Sequence, residues 1–345
     1  MSAPSTKAVF LKAYPDGLPT PELFEIRDIE TPAPADGEVL LRTVWMSVDP
    51  YMRGRMRPDI KSYIPPFALD EPLDGGAVSE VVESRNDAFS PGDYVVGFQG
   101  GWKQYSVAPA DGLHKVDPNL APLSAYLGVL GMPGLTVWAG LTQILKPKEG
   151  ETLFVSGAAG AVGSLVCQLG KIKGCRVVAS AGSPEKCEWL MKEGGADVAL
   201  NYKKYESASA LTKALAEAAP NGVDCYFENV GGMHLEAALN CIAFGGRIAL
   251  CGMISQYNLT KPEPGLPNLV NMIARGVMAQ GFIVSNYMHL TMEFAAEIAP
   301  LLAGGKIKFR ESVYEGLEKA PEAFIGLFAG DNFGKAVVRV GPDRL

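Results

Sequence analysis

The sequence has few of the residues that bind metal ions. It contains three histidines and six cysteines in 345 residues, and every cysteine lies at or beyond position 167. No two cysteines form a CxxC pair and no HExxH occurs, so the short ligand spacings of zinc sites are missing. We therefore expect no bound metal. A chain of this length does not need disulfides to fold, which favours reduced, buried thiols.

Clustered positive charge is also missing. The formal net charge is −7, from 31 basic and 38 acidic residues. Nucleic acids and anionic membrane surfaces are bound through clustered Lys and Arg, so neither is an expected partner. Residues 1–14 lack the apolar core segment of a secretory signal, which favours a cytoplasmic protein.

One long stretch, residues 121–145, has no charged residue. Its length matches a membrane-spanning helix, but it is interrupted by Gly128, Gly131, Pro133, Gly134 and Gly140. The segment 131–134 is a turn signal. We therefore predict two buried helices that meet at a break, and no membrane span.

Two sequence patterns divide the chain. The first 120 residues hold short β-rich runs separated by Pro and Gly clusters, typical of a small antiparallel barrel or sandwich. From residue 152, continuous apolar strands alternate with amphipathic helices, which predicts an α/β fold with a doubly wound parallel sheet. Residues 335–340 return to strand character and are predicted to rejoin the first domain. The predicted strands of the α/β domain are 152–156, 175–180, 198–200, 223–227 and 247–251, and its predicted helices are 161–173, 184–193, 207–219 and 234–244.

A glycine-rich segment joins the first of these strands to the first helix. Read against GxGxxG, it is Ala158-x-Gly160-x-x-Gly163, with alanine in the first position. Gly160 lets the backbone approach a pyrophosphate, Gly163 lets the helix pack against the strand, and the helix N-terminus attracts an anion. A strand-to-helix junction of this kind predicts a dinucleotide site rather than a tight turn without a ligand.

The end of the second strand indicates which dinucleotide binds. NAD sites carry an acidic residue there that binds the ribose 2′-hydroxyl. Here residues 180–186 read Ser-Ala-Gly-Ser-Pro-Glu-Lys, with no carboxylate at the strand end. Ser183 and Lys186 favour a 2′-phosphate, and Glu185 is expected to point away from it. NADPH is therefore the expected cofactor; the alternative is that Lys186 is a solvated surface lysine.

Six longer motifs follow one another along the chain. They are DPYMRGRM at 49–56, GVLGMPGLT at 128–136, AAGAVGS at 158–164, ENVGG at 228–232, CGMISQYN at 251–258 and GDNFGK at 330–335. In these motifs the chain resembles the zinc-independent medium-chain dehydrogenases/reductases. It is most similar to the prostaglandin reductase, leukotriene B4 12-hydroxydehydrogenase and curcumin reductase branch, over nearly its whole length.

The resemblance implies a GroES-like β domain at 1–128, completed by 309–345, and a Rossmann domain at 129–308. It also implies NADPH-dependent reduction of the C=C bond of α,β-unsaturated ketones and aldehydes. Where zinc-bearing relatives carry Gly-His-Glu, the comparable stretch here is Leu73-Asp74-Gly75-Gly76, without a zinc ligand set. A homodimer is expected as well, with residues 261–284 as a source of apolar surface; the alternative is that this stretch only covers the cofactor cleft.

The resemblance also implies roles for individual residues. For three of these residues the alternative is a purely structural role: Asn229 caps a turn, Phe282 is a core residue, and Tyr51 packs between domains. The expected cofactor contacts are Ala159, Gly160, Ala161, Val162 and Gly163 at the pyrophosphate; Ser183, Lys186 and Tyr202 at the 2′-phosphate; and Asn229, Cys251, Gly252, Ile254, Ser255, Tyr257, Phe282, Ile283, Val284 and Asn332 around the nicotinamide.

Enone reduction needs a hydrogen-bond donor at the substrate carbonyl, where negative charge develops. A phenol stays protonated at neutral pH, and Tyr257 follows the fifth strand at the sheet's carboxyl edge, where ligands bind. We predict Tyr257 and, on the substrate side, Tyr51 as catalytic residues, with the nicotinamide ribose hydroxyl as the alternative donor to Tyr257. Two other functions stay open, an NADPH:quinone oxidoreductase and a non-catalytic NADPH-binding protein.

Overall fold

The computed structural model describes residues 5–343. Residues 1–4 and 344–345, the ends of the predicted β domain, lie outside the described residues. The chain divides into two compact units, which we name the β unit (Met1–Gly131 with Glu311–Leu345) and the α/β unit (Met132–Arg310). The division points fall three and two residues after the predicted boundaries at 128 and 308.

Strands and helices follow in chain order. The strands are β1 Ser5–Leu11, β2 Phe24–Glu30, β3 Glu38–Ser47, β4 Ala77–Ser84, β5 Tyr94–Gly97, β6 Tyr105–Pro109, β7 His114–Lys115, β8 Thr152–Val155, β9 Arg176–Ala181, β10 Val198–Asn201, β11 Val223–Glu228, β12 Ile242–Leu250, β13 Met278–Gly281, β14 Glu311–Glu315 and β15 Lys335–Arg339. The α-helices are α1 Met132–Ala139, α2 Ala161–Ile172, α3 Pro184–Lys192, α4 Ala208–Ala218, α5 Gly232–Cys241, α6 Val270–Ala274, α7 Thr291–Ala303 and α8 Ala320–Ala329. Short 3₁₀ turns cover Pro21–Leu23, Pro50–Met56, Leu123–Leu127, Tyr202–Lys204, Ile254–Gln256, Val284–Leu290 and Leu317–Lys319, and a π-helical turn covers Gly140–Leu145.

The β unit is organised around the long, mostly buried strand β3. Its sheet has the order β14-β15-β3-β4-β5-β7, with β6 also paired to β3, and β1 and β2 form a separate antiparallel ribbon. Strand β15 pairs antiparallel with β3, Val338 opposite Met46, so the returning segment joins the same sheet as the N-terminal strands, as predicted. The aromatic rings of Phe24, Trp102 and Phe324 pack together in the hydrophobic core of the β unit.

The α/β unit contains a six-stranded sheet whose strand pairs are all parallel. The order β10-β9-β8-β11-β12-β13 corresponds to 3-2-1-4-5-6, the doubly wound arrangement that binds dinucleotides. Strand β8 is buried at all four residues, because helices cover both faces of such a sheet. The predicted fold class is confirmed. The crevice of this fold lies beyond the carboxyl ends of β8 and β11, where the strand order reverses.

The uncharged stretch 121–145 folds as short helical pieces on either side of a break, as predicted. The 3₁₀ turn Leu123–Leu127 precedes the break, and α1 with the π-helical turn follows it. At the break, a Cβ on Gly131 would lie 2.1 Å from the Tyr126 carbonyl oxygen, so only glycine fits. Within residues 5–343, no helix combines the length and apolar character needed to cross a membrane.

The predicted helix 234–244 has different limits in the structure. Helix α5 ends at Cys241, because Ile242 already pairs with Val223 as the first residue of β12. Gly245 follows with a φ of 71°, in the left-handed region that favours glycine. The pairing of β12 resumes at Arg247 opposite Cys225 after this irregularity.

Candidate cofactor and active site

The glycine-rich loop lies at the carboxyl end of β8. Gly157 has a φ of 58°, which turns the chain from the strand towards α2. A Cβ on Gly163 would lie 2.4 Å from the Gly157 carbonyl oxygen and 2.6 Å from Ala158 Cα. The third glycine of the motif is therefore required by close packing between helix and loop, the role that the motif assigns to it.

Gly160, unlike Gly163, is not required by packing within the protein. It precedes α2 without a side-chain cap, and the nearest atom to a Cβ built on it would be 3.4 Å away, an ordinary contact. The protein itself leaves room at this position. The first-turn amides of α2 have no acceptor within the helix, so the space in front of them has the polarity that a pyrophosphate needs. Ala159 is buried and offers this space only its backbone.

Three predicted residues converge at the end of β9. Ser183 is the N-cap of α3, and its hydroxyl accepts the Lys186 amide at 3.2 Å. Ala181 pairs with Asn201, which brings Tyr202 alongside Gly182: a Cβ on Gly182 would lie 3.1 Å from the Tyr202 hydroxyl oxygen. The Ser183 and Tyr202 hydroxyls and the backbone of Lys186 thus lie at one corner, and residues 180–184 contribute no carboxylate to it. This chemistry fits a ribose 2′-phosphate.

The carboxyl ends of β11 and β12 carry the residues predicted for the nicotinamide side. The side-chain amide of Asn229 donates to the Ser156 carbonyl oxygen at 2.8 Å, which links this end of β11 to that of β8. The Ile254 amide donates to the Asn229 carbonyl oxygen, and Ser255 donates to that of Val230 through both its amide and its hydroxyl. The loop 251–257 is therefore held against the end of β11.

Tyr257 folds back over its own loop. A Cβ on Gly252 would lie 3.0 Å from the Tyr257 hydroxyl oxygen, and that oxygen accepts the Met253 amide at 3.2 Å. The hydroxyl proton remains available for donation, because the amide occupies an oxygen lone pair. Burial raises the pKa of Tyr257, so the phenol stays protonated at neutral pH.

Residues 282–284 follow β13, beside the end of β12. The pairing of Leu250 with Gly281 places them at the same sheet edge as Cys251. The Phe282 ring packs edge-to-face against Phe227, with centroids 6.2 Å apart. The ring thus packs against β11 while the residue stays half-buried, and its contact with the nicotinamide stays a prediction.

Comparisons with known proteins agree with this geometry. A family model described as the N-terminal domain of oxidoreductase matches residues 7–116, and one described as zinc-binding dehydrogenase matches residues 161–303. The 2-alkenal reductase (NADP(+)-dependent) of Nicotiana tabacum is 45% identical over 340 residues, which cover 97% of this chain and 98% of the relative. The NADPH-dependent curcumin reductase of Escherichia coli is 44% identical over 338 residues, 96% of each chain. The chain belongs to the medium-chain dehydrogenase/reductase family.

Solved structures place it more closely within this family. CurA from Vibrio vulnificus in complex with NADPH is 42% identical, with a TM-score of 0.90 over 98% of this chain and 100% of that one. A quinone oxidoreductase from Pseudomonas syringae is more distant, at 25% identity and a TM-score of 0.77, with 97% and 100% covered. The chain thus falls in the branch of NADP-dependent reductases, with a GroES-like β domain and a Rossmann domain.

The stretch compared with the zinc-bearing relatives, residues 73–76, contains no histidine or cysteine. Within residues 5–343, no group of three or more His, Cys, Asp or Glu side chains is arranged to hold a metal ion. In the stretch compared with the zinc-bearing relatives, the Asp74 carboxylate forms an ion pair with Arg55. This pair gives Asp74 a structural partner in the β domain.

Tyr51 and Asn332 belong to the β domain, and their part in the site stays a prediction. Tyr51 lies in the 3₁₀ turn Pro50–Met56, where burial and the nearby Asp49 carboxylate raise its pKa. The Asn332 side chain donates to the Gly334 carbonyl oxygen at 2.8 Å, in the turn before β15.

Sequence reasoning missed the buried carboxyl group that organises the end of β11 in this Rossmann domain. Glu228 Oε1 accepts the Ser156 hydroxyl at 2.8 Å and the amides of Val230 and Gly231 at 2.6 and 2.9 Å. Its carbonyl oxygen accepts the amides of Cys251 and Gly252. Burial raises the pKa of Glu228. An acidic residue directly after the apolar run 225–227 was the available signal, but its partners lie up to 72 residues away.

Proposed function

We propose that this protein catalyses the NADPH-dependent reduction of the C=C bond of α,β-unsaturated ketones and aldehydes. The observation that carries the proposal is the carboxyl edge of the Rossmann sheet. There, the corner at the end of β9 combines Ser183, Tyr202 and the backbone of the basic residue Lys186, without a carboxylate in residues 180–184; we name it the cationic corner. The protonated phenol of Tyr257 lies at the end of β12 on the same edge. The relatives named as 2-alkenal and curcumin reductases support the same chemistry.

The cofactor contacts follow the order of the strands. We assign residues 159–163 to the pyrophosphate, the cationic corner to the 2′-phosphate, and Asn229 with residues 251–257 and 282–284 to the nicotinamide side. Asn332 and Tyr51 keep their predicted roles from the β domain. When bound, NADPH would supply the hydride that adds to the β-carbon of the substrate, and a proton that then adds to the α-carbon would complete the saturated product.

The protein's own part in the chemistry is to stabilise the charge that develops on the substrate. As the carbonyl oxygen becomes negative, the Tyr257 hydroxyl donates a hydrogen bond to it, a contact that is stronger in the transition state than in the substrate. The Met253 amide holds the phenol oxygen in place, so little reorganisation is needed when the charge develops.

A substrate screen tests the proposal. Purified protein is incubated with NADPH and an enal, an enone, a prostaglandin-like enone or a quinone, and loss of NADPH absorbance is followed. We expect turnover of enals and enones to saturated carbonyl products. With NADPH deuterated at the transferring position, mass spectrometry should locate the label on the β-carbon. Faster reduction of quinones would favour the quinone oxidoreductase, and binding without turnover would favour the non-catalytic alternative.

We also propose that the protein is a cytoplasmic homodimer. Its six cysteines, all within the described residues, form no disulfide, which is consistent with a reducing compartment. Strand β13 is an exposed edge of the Rossmann sheet, and edge strands are ready to pair with another chain. Beside it, α6 exposes Val270 and Ile273, the latter 85% exposed, while Phe244 is exposed where Gly245 bonds to Arg275.

Ile273→Glu is expected to weaken the dimer at least about tenfold, because a charge in an apolar interface loses its hydration. Light scattering after size-exclusion chromatography measures the mass over a range of concentrations. Met191→Glu is the matched control, since Met191 is an exposed methionine on α3. A wild-type monomer at micromolar concentration, or equal dimer stability in both variants, would contradict this surface.

A further inference from the structure

A buried polar contact lies directly behind the cationic corner. His234, in the first turn of α5, is only 2% exposed. Its Nε2 lies 2.9 Å from the hydroxyl oxygen of Ser180, a β9 residue with no exposed surface. The contact joins two elements 54 residues apart in the sequence. It holds the imidazole beneath the end of β9, where the 2′-phosphate corner begins.

The imidazole in turn packs against Tyr202. The two ring centroids are 5.1 Å apart and the planes are inclined at 73°, an edge-to-face contact. The Tyr202 hydroxyl also lies next to Gly182, where a Cβ would come within 3.1 Å of it. The phenol therefore contacts both the His234 ring and the chain at Gly182, one residue before the N-cap Ser183.

His234 does not act through charge. Burial lowers its pKa to about 4, so the ring is neutral at physiological pH and cannot attract a phosphate as a cation. Its Nδ1 has no hydrogen-bond partner among residues 5–343. A ring nitrogen that is buried without a hydrogen-bond partner costs stability, so core packing alone does not explain a histidine at this position. The interactions that His234 contributes are the bond to Ser180 and the contact with Tyr202.

We propose that His234 is a positioning residue for cofactor specificity, fixed by Ser180 and orienting Tyr202 towards the 2′-phosphate of NADPH. The inference rests on the proposed NADPH-dependent function and adds the residue that arranges its specificity corner. Because His234 acts through Tyr202, its effect appears only with ligands that carry a 2′-phosphate. NADH and adenosine 5′-monophosphate do not engage this corner and are unaffected.

The test compares His234→Phe with Ser180→Ala, which removes only the hydroxyl and is the milder change. In each variant, we expect the KM for NADPH and the inhibition constant of 2′,5′-ADP to rise about 3- to 10-fold, with kcat at saturating NADPH within about twofold. The KM for NADH and the inhibition constant of 5′-AMP should stay constant. His114→Phe, at an exposed histidine of the β domain, is the matched control, and thermal unfolding confirms that each variant is folded.

A double-mutant cycle with Tyr202→Phe separates positioning from a general structural role. The losses from His234→Phe and Tyr202→Phe should be clearly less than additive, because both remove the same phosphate contact. Equal losses for NADPH and NADH, unchanged NADPH parameters, or full additivity would each overturn the proposal. If wild-type protein shows no preference for NADPH and does not bind 2′,5′-ADP, the proposed NADPH-dependent function fails too. If wild type prefers NADPH and the variants retain that preference, only the role of His234 fails.

Discussion

Tyr257→Phe should lower kcat by roughly 10- to 1,000-fold, with little change in NADPH affinity. The substitution keeps the ring and deletes only the hydroxyl that lies over Gly252. Without it, the developing charge on the substrate carbonyl loses a donor, and one such donor is worth up to about 4 kcal/mol in the transition state. Steady-state kinetics with a saturating enone measure the effect.

Tyr205→Phe is the matched control for this variant. Tyr205 is a half-buried tyrosine of the Rossmann domain that packs against its core and has no proposed catalytic role. Because Tyr257→Phe also removes the acceptor of the Met253 amide, thermal unfolding of both variants reports any loss of stability. A kcat within about threefold of wild type, less than 1 kcal/mol, would assign charge stabilisation to the ribose hydroxyl or to water instead.

Lys186→Ala should raise the KM for NADPH at least about tenfold and leave that for NADH nearly unchanged, since a charge-assisted phosphate contact contributes about 1.5–3 kcal/mol. Lys186 lies in the first turn of α3, where its amide bonds to the N-cap Ser183. The backbone from which its side chain extends is therefore fixed next to Ser183. Parallel kinetics with both dinucleotides measure the specificity ratio.

The control for this variant lies on the same helix. Lys192 is 70% exposed and forms a surface ion pair with Glu188, one helical turn away, so Lys192→Ala should leave both KM values unchanged. Equal losses of NADPH and NADH affinity in Lys186→Ala would show that the lysine acts on a part common to both dinucleotides, and the 2′-phosphate assignment would fall.

Local patterns account for most of the fold prediction. The strands near 152, 176 and 223 were found because continuous apolar runs are required where a strand is buried on both faces. The helix over 161–172 was found from its apolar stripe and the glycines before it. The limits of α5 were predicted less well, since pairing of Ile242 with Val223 ends the helix early, and a contact between distant segments leaves no mark on local periodicity.

The sequence by itself predicted the dinucleotide loop, the preference for a phosphorylated ribose and the absence of zinc-ligand spacings, because each depends on residue types at short spacing. Only the tertiary structure decided which side chains meet. It set the strand order that brings the ends of β8 and β11 together, placed the Tyr257 hydroxyl over Gly252, and brought His234 to Ser180 and Tyr202. The contacts of His234 and those between the ends of β8 and β11 join residues from separate βα units, and it is the side-by-side packing of the strands that makes them neighbours.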